Sequence, residues 1–344
     1  MSELSNKRFR KFKSIRRGYY SLLLIATLYL LSFGLEFLAN NKPIFIRYQG
    51  QYYFPTFKYF PATTFGGADS AEPDYRVLQA QFRAAGDGNI VIMPLLPYSP
   101  TESLRDLPGT PPHRPSWEHL LGTDDRGRDV FVRLLYGFRI SMGFGLKVTF
   151  FSLILGVFVG ALQGYYGGKF DLTVQRLIEI WSTIPTLYLI IIISSIFEPS
   201  YFWLVVILTA FGWMGITYYM RGEVLREKSK DYVQAAKALG ATDLSIIFRQ
   251  ILPNSLIPII TLIPFMLVGD IFALTSLDFL GFGLPAPTPS WGELMGQGMG
   301  NIYSYWLSLS PIGALFFTLL LVTFIGEAAR EAFDPKSLNS LIHN

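Results

Sequence analysis

The sequence predicts an all-α polytopic membrane protein with six transmembrane helices and a small, loop-rich, partly β insert. Of 344 residues, 51% are hydrophobic and 16% charged, with a mean hydropathy of +0.35, whereas about a quarter of a soluble domain is charged. No cysteine is present, which excludes disulfides and thiol chemistry. Six stretches approach the roughly 20 apolar residues that a membrane-spanning helix needs: 19–39, 141–163, 178–197, 201–220, 255–277 and 307–328.

The first predicted span, 19–39, follows the tail 1–18, which is rich in lysine and arginine. A basic start before an apolar run is also typical of a signal peptide. Here the apolar run is too long for a signal peptide, and no small-residue cleavage pattern follows it cleanly. We therefore expect an uncleaved transmembrane helix.

Lysine and arginine in the short loops predict the orientation, because cytoplasmic loops carry an excess of both. The basic segments are 1–18, 164–177 and 221–254, and the segments without Lys or Arg are 198–200 and 278–306. These two groups alternate along the six spans, so the basic segments are expected inside and the others outside. Both termini, including the tail 331–344, are then cytoplasmic, and the insert 40–140 is periplasmic.

The insert 40–140 is rich in proline and aromatic residues and contains no spanning run. Residues 44–54 predict two short strands joined by a hairpin at Gly50. Residues 89–96 predict another strand, which prolines such as Pro94 would end. Gly66-Gly67 and the proline runs over 108–115 favour irregular or polyproline-like backbone, so we expect a small, loop-rich outer domain. Nothing in the insert suggests an active site.

Segment 229–253, called the elbow below, predicts two short helices. Asp231 with Gln234 three residues later is close to a capping box, Gly240 can adopt the left-handed conformation that ends a helix, and Thr242 or the next residue can begin a second one. Apolar residues recur at helical spacing: Tyr232, Ala235, Ala236 and Leu239, then Leu244, Ile247, Phe248 and Ile251. From this pattern alone, the elbow either presents an apolar face to a partner or lies on lipid, which its basic residues favour.

The elbow resembles the E-A-A-x-x-x-G-x(9)-I-x-L-P motif of permease subunits in binding-protein-dependent ABC importers. The matching positions are Gln234-Ala235-Ala236, Gly240 and Leu252-Pro253. Gln234 stands in place of the usual glutamate, and Gln250 stands where isoleucine is common, with Ile251 next to it. Neither change removes the apolar face or the glycine break.

Four further segments are similar to the oligopeptide/dipeptide (DppC/OppC) branch of these permeases. They are HLLGTDDRGRDVFVRLLYGFRIS (119–141), GYYGGKFDLTVQRLIEIW (164–181), SLDFLGFGLPAPTPSWGELM (276–295) and GEAAREAFDPK (326–336). The amino-terminal part of the chain is most similar to the YejE-like permeases of peptide and microcin C importers.

This resemblance implies a type I importer permease in the bacterial inner (cytoplasmic) membrane, with a five-helix core over 141–330 and one preceding helix. It implies four kinds of partner: a second homologous permease in a heterodimer, cytoplasmic ABC ATPase subunits, a periplasmic substrate-binding protein and a peptide substrate. The chain itself is expected to bind no cofactor, since ATP and Mg bind the ATPase subunits. In this family the elbow is the coupling helix that contacts the ATPase, and the matching residues here are Tyr232, Gln234, Ala235, Ala236, Leu239, Gly240, Ile247, Phe248, Leu252 and Pro253.

The implied activity is ATP-driven import of oligopeptides, with microcin C-like peptide conjugates as an extension. The sequence contains no G-x-x-x-x-G-K-[ST], H-E-x-x-H or G-x-S-x-G pattern, so we expect a transport subunit rather than an enzyme. The alternative is a stand-alone secondary transporter or channel for small peptides. Such proteins commonly carry inverted repeats and charged relays at mid-membrane, and the sequence suggests neither.

Two acids are candidates for the translocation pathway: Asp270 within the fifth span and Asp278 after it. Acids inside a membrane are functional candidates by default, although Asp270 could instead pair with a neighbouring helix. The side chain of Lys147 is expected to extend toward the interface on the outer side of the membrane. In loop 278–306, Trp291 and Trp306 are expected to serve as interface anchors.

Overall fold

This computed structural model describes residues 2–334, so the predicted carboxyl-terminal tail lies outside the described residues from position 335 onward. The helices are α1 Ser2–Ser14, α2 Arg16–Ser32, α3 Leu35–Leu38, α4 Tyr75–Ala85, α5 Val130–Tyr166, α6 Gly168–Ser182, α7 Thr186–Ile196, α8 Tyr201–Lys228, α9 Asp231–Ala238, α10 Asp243–Ser245, α11 Leu252–Ile260, α12 Ile263–Phe279, α13 Trp291–Gly300 and α14 Trp306–Phe333. The strands are β1 Phe45–Tyr48, β2 Gln51–Tyr53 and β3 Ile90–Ile92.

Three helices of the described chain, α5, α8 and α14, are long and apolar enough to cross a membrane. Two bent pairs raise the number to five: α6 with α7, bent by 64°, and the helical run Asp243–Ile260 with α12, bent by 56°. These five correspond to the last five predicted spans. The first predicted span, 19–39, stays a prediction, because α2 has only 17 residues and ends at Ser32, before the separate turn of α3.

Prolines stand at both bends. Pro185 precedes the first residue of α7, Pro258 lies inside α11, and Pro264 lies in the first turn of α12. A proline has no N–H for the helix ladder and restricts the residue before it. The bends are therefore encoded locally.

The chain divides into two compact units. Unit 1 comprises residues 1–26, 141–285 and 315–344, and unit 2 comprises 27–140 and 286–314. Unit 2 thus includes the predicted insert together with most of loop 278–306. Helix α5 begins at Val130, earlier than the predicted span start at 141.

In unit 1, α5 packs closely on α8 through three glycines spaced four residues apart. A Cβ at Gly156 would lie 2.6 Å from Ile216 Cβ, and Cβ atoms at Gly160 and Gly164 would lie 2.8 and 2.7 Å from the Cβ atoms of Met220 and Val224. Small residues at this spacing allow helix backbones to approach each other. The residue numbers of the contacting positions increase together along the two helices, so α5 and α8 run in the same direction, as the predicted order of spans requires.

Unit 2 contains an antiparallel sheet in the order β2-β1-β3. The predicted hairpin is confirmed, since Gln49 and Gly50 both have positive φ between β1 and β2. The predicted strand over 89–96 is shorter, because β3 ends at Ile92, ahead of Pro94.

The insert also contains two helical segments that the sequence analysis did not identify, a 3-10 helix over Ala62–Phe65 and α4. Helix α4 begins after Asp74, whose carboxylate accepts the N–H groups of Arg76 and Val77. Its buried residues Leu78 and Phe82 pack with Ile46 of β1 in the core of the insert.

Candidate functional site

The elbow lies in unit 1 between α8 and α12, and its first helix, α9, begins without the predicted capping box. Asp231 is the first helical residue, and Lys230 before it makes no side-chain cap. The Gln234 Nε2 donates to the carbonyl of Lys228 at 2.9 Å and so ties α9 back to the end of α8. The capping assignment was therefore wrong by one residue, although Asp231 still places an acid in the first turn, where the helix dipole favours it.

Gly240 ends α9 in the left-handed conformation, with a φ of +80°, as predicted. Its N–H bonds the carbonyl of Lys237 at 3.0 Å, and the N–H of Ala241 bonds that of Ala236 at 3.1 Å. A Cβ built on Gly240 would meet nothing within 4 Å. The requirement for glycine thus comes from the backbone conformation, which other residues adopt only with strain, and not from crowding.

The second predicted helix is continuous with the next span. Thr242 Oγ1 accepts the N–H of Ser245 and starts α10, which passes through a π-helical segment, Ile246–Ile251, into α11. Pro253 lies in the first turn of α11 and has no N–H for the carbonyl four residues back. The π-helical turns directly precede it, and the N–H of Leu252 bonds the carbonyl of Ile247.

One face of the elbow is buried. Val233, Ile247 and Ile251 are at most 2% exposed and pack in one cluster with Met220 and Val224 of α8. Ile247, which the family resemblance placed among the ATPase-contacting residues, therefore lies inside unit 1. Ala236, Leu252 and Pro253 are half-buried.

Polar contacts that sequence reasoning missed hold α9 to its flanking helices. Glu227, 3% exposed near the end of α8, accepts the Tyr232 hydroxyl at 2.6 Å and the Lys230 ammonium at 2.6 Å. Asn254 Nδ2 donates to the Tyr232 oxygen at 3.3 Å. Burial raises the pKa of Tyr232, and the carboxylate of Glu227 raises it further, so its hydroxyl stays a donor at neutral pH. A second contact joins the Tyr165 hydroxyl to Asp243 Oδ1 at 2.5 Å.

The opposite face of the elbow is exposed and apolar. Leu239 is 88% exposed, Leu244 60% and Phe248 51%, and Ala235 and Gly240 are exposed as well. We call these five residues the elbow surface. The other face of the segment is fixed in the core. A group of large, exposed apolar side chains on such a segment is typical of a binding surface.

The two predicted pathway acids are both hydrogen-bonded within unit 1. Asp270 Oδ2 accepts the Thr149 hydroxyl of α5 at 2.6 Å, which is the pairing alternative considered for it. Asp278 is buried, and its Oδ1 accepts the N–H of Leu284 at 2.6 Å across the turn that contains Gly281. A direct role in the pathway stays a prediction for both.

Residues 152–338 match the family described as binding-protein-dependent transport system inner membrane component. The match covers α8, the whole elbow and α11 to α14. This chain belongs to that family. The membership predicted from the elbow motif is therefore confirmed.

Relatives of this permease extend the similarity over the whole chain. The inner membrane ABC transporter permease protein YejE of Escherichia coli is 45% identical over 336 residues, 97% of this chain and 98% of that protein. The peptidoglycan transport system permease protein YejE of Agrobacterium fabrum is 40% identical over 97% of this chain and 94% of that protein. The dipeptide transport system permease protein DppC of Bacillus subtilis is 36% identical over 64% of this chain and 70% of that protein.

Among solved structures, an inward-facing conformation of the MetNI methionine ABC transporter matches 58% of this permease and 96% of its own chain. That match has a TM-score of 0.49 and 19% sequence identity.

This permease also has a buried group of charges in unit 2, which we call the ion cluster: Asp124, Arg128, Arg133 and Glu293. Arg128 Nε lies 2.6 Å from Asp124 Oδ2, and its Nη2 lies 2.9 Å from Glu293 Oε1. Arg133, fully buried, lies 2.5 Å from Glu293 Oε2 and 3.5 Å from Asp124 Oδ2. Burial by itself lowers the pKa of Arg128. The negative charges of Asp124 and Glu293 outweigh this effect, so the pKa is raised. Two guanidinium and two carboxylate groups thus neutralise each other.

The predicted tryptophan anchors are internal to unit 2. Trp291 is 2% exposed and donates from Nε1 to the carbonyl of Leu134 at 3.1 Å. Trp306 is 5% exposed and donates to the carbonyl of Thr123 at 3.2 Å. Each indole therefore packs inside unit 2, against the segment before or within α5, and a role of either tryptophan as an interface anchor stays a prediction. Within residues 2–334, no group of His, Asp or Glu side chains could hold a metal ion.

Proposed function

We propose that this permease is one membrane subunit of an ABC importer that carries peptides across a bacterial inner membrane. It would form a heterodimer with a second, similar permease and act with cytoplasmic ATPase subunits, which bind ATP and Mg, and with a periplasmic binding protein. Relatives over the whole chain bear the names of ABC transporter and transport-system permeases. They do not favour a stand-alone secondary transporter.

The observation that carries the coupling role is the elbow surface. Leu239, Leu244 and Phe248 are exposed on both sides of the break at Gly240, while Val233 and Ile247 fix the other face in the core. Exposed apolar area of this kind gains free energy when a partner covers it. We assign the ATPase subunit as that partner, with the elbow on the cytoplasmic side.

Hydrogen bonds connect the elbow to the helices on either side of it and to α5. Glu227 and Asn254 hold Tyr232 from α8 and α11, and Asp243 is held by Tyr165 of α5. A displacement of the elbow by the ATPase would therefore move several helices together, as rigid-body switching requires.

The test of coupling is a matched pair of variants at Gly240. Asn and Asp have similar size, and both tolerate positive φ better than other residues, so Gly240→Asn controls for shape and backbone. Gly240→Asp adds a charge that a docked ATPase would leave buried and unpaired, at a cost of several kcal/mol. We expect peptide uptake and substrate-stimulated ATP hydrolysis to be lost in Gly240→Asp and largely kept in Gly240→Asn, with equal permease in the membrane. Unchanged uptake in Gly240→Asp would contradict the assignment.

The substrate class is proposed from the relatives' names. One relative is named for dipeptide transport and another for peptidoglycan transport. Peptidoglycan fragments contain short peptides, so a peptide is the chemistry common to both names. Uptake of labelled oligopeptides, peptidoglycan-derived peptides and a microcin C-like conjugate should be compared in a deletion strain, with and without the binding protein. Uptake of none of them by the restored permease would remove the peptide assignment.

A further inference from the structure

The exposed sides of α5 and α8 form an apolar groove of about 740 Å³ in unit 1. Ile154 and Phe151 of α5 and Val206 of α8 line it, and they are 39–50% exposed. Val205 and Thr209, each 7% exposed, also line it. Along α5 the groove residues precede Gly156, and in the same stretch a Cβ at Gly212 of α8 would lie 2.6 Å from Ser152 Oγ.

A lysine stands at one end of this groove. Lys147 Nζ lies 4.5 Å from the centre of the Tyr201 ring and 3.1 Å from the Tyr201 hydroxyl, to which it donates. Among residues 2–334, no ion pair involves Lys147. An ammonium has three N–H donors, so the single bond to Tyr201 leaves it able to bind an anion. The nearest acid along the chain from Tyr201 is the exposed Glu198.

The length of the groove matches one leaflet of a bilayer. From Tyr201 to Ala210 the axis of α8 rises by about 14 Å, at 1.5 Å per residue. Half of the hydrocarbon core is about 15 Å. Tyr201 is the first residue of α8, and tyrosine and lysine are typical of the headgroup level. The groove therefore extends from headgroup level toward the middle of the membrane.

We propose that this groove binds an anionic phospholipid, with an acyl chain along α5 and α8 and the phosphate on Lys147 and Tyr201. The apolar walls match the acyl chain, and the ammonium of Lys147, which has two N–H donors left beside its bond to Tyr201, matches the negative headgroup. This site is independent of the elbow and of the peptide assignment. It would fix a lipid against α5 and α8, two helices that pack closely on each other.

The experiment uses native mass spectrometry on the complex isolated through a tag on the full-length chain. Phosphatidylglycerol and phosphatidylcholine with identical acyl chains are offered together. The unaltered protein should retain phosphatidylglycerol in preference. Lys147→Gln should weaken that retention about fivefold, the effect expected of one cation near a headgroup, and Val206→Trp should weaken retention of both lipids by filling the groove.

Lys58→Gln is the matched control, because Lys58 also lies over an aromatic ring, 5.7 Å from the centre of Phe60, but lies in the insert and does not line this groove. It should leave retention unchanged. Equal retention of the two lipids by the unaltered protein would overturn the proposal without any variant. So would full retention in Lys147→Gln, or efficient cross-linking of Val206→Cys to the second permease, since a protein would then occupy the groove. The chain has no native cysteine, so any such cross-link must involve position 206 of this permease.

Discussion

The elbow and the ion cluster place polar and apolar groups in opposite ways. In the elbow, the large apolar side chain of Leu239 is 88% exposed. In the ion cluster, Arg133 is fully buried and its charge is met by Glu293 and Asp124. An exposed apolar face gains free energy only by association, whereas a buried charge must find its partners inside the fold. Variants of the ion cluster should therefore act on folding, and variants of the elbow surface on assembly.

The largest effect is expected for Arg133→Gln. This change leaves Asp124 and Glu293 with one buried guanidinium instead of two, and breaking a buried pair typically costs about 3–5 kcal/mol. The free energy of unfolding of the purified permease in detergent would measure it. Arg126→Gln is the control, since Arg126 is 54% exposed and 3.9 Å from Glu293, and should cost less than about 1 kcal/mol. Equal losses in the two variants would show that burial does not set the energy of this cluster.

The next effect is expected for Leu239→Ser, and in association rather than folding. Burial of a leucine contributes about 1.5–3 kcal/mol, so affinity for the ATPase subunit should fall by roughly 10- to 100-fold. The unfolding free energy should hardly change, because the side chain is exposed. Leu95→Ser in the insert, where the leucine is 83% exposed, is the control and should leave ATPase binding intact. Wild-type binding by Leu239→Ser would exclude the elbow surface as the docking face.

The same contrast explains which features could be predicted from sequence. Gly240 was predictable because its role is local: a glycine after an apolar helical run indicates a left-handed stop. The bends at the prolines and the apolar spans are local in the same sense. The ion cluster was not predictable, because Arg133 and Glu293 are 160 positions apart and nothing near either residue indicates the other.

The elbow residues show where local patterns mislead. Helical spacing placed Ile247 and Phe248 together as apolar, yet Ile247 is 2% exposed and Phe248 51%. Periodicity identifies which residues are apolar but not which of them face the core, and the π-helical segment Ile246–Ile251 shifts the register further. Glu227 was missed for the opposite reason, because an acid in a basic segment is ordinarily solvated, whereas here Tyr232 and Lys230 bury it.

A smaller effect is expected for Tyr232→Phe, which removes one hydrogen bond to Glu227 and should cost about 1 kcal/mol at neutral pH. Its pH dependence follows from the raised pKa of Tyr232. The hydroxyl contributes fully below its ordinary pKa near 10, and the contribution disappears as pH rises through the raised value. Unfolding measured from pH 8 upward should therefore bring the wild type toward the variant. Tyr303→Phe, at a side chain 96% exposed, should follow the wild type throughout. A constant difference between wild type and Tyr232→Phe across that range would contradict the proposed bond.

The smallest effect concerns Asp125, which adjoins the ion cluster without joining it. Partial burial raises the pKa of Asp125, and the charge of Asp124 beside it raises the pKa further. A raised pKa means that the folded state holds the proton more tightly, so ionisation of Asp125 costs stability. That cost begins as pH rises past the ordinary pKa of aspartate and is complete above the raised pKa. Asp125→Asn should therefore raise the melting temperature slightly at pH 7. The gain in the free energy of unfolding should be a few tenths of a kcal/mol at most, because water screens the exposed side chain. The gain should vanish below about pH 3.9, the ordinary pKa of aspartate.

The main-chain N–H of residue 125, which donates to Gln297 Oε1 at 3.3 Å, is kept in the variant. Asp87→Asn, on the exposed turn after α4, should give no such gain. If Asp125→Asn lowers the melting temperature at pH 7, the cluster can hold a third carboxylate, and its charges are not balanced as two against two.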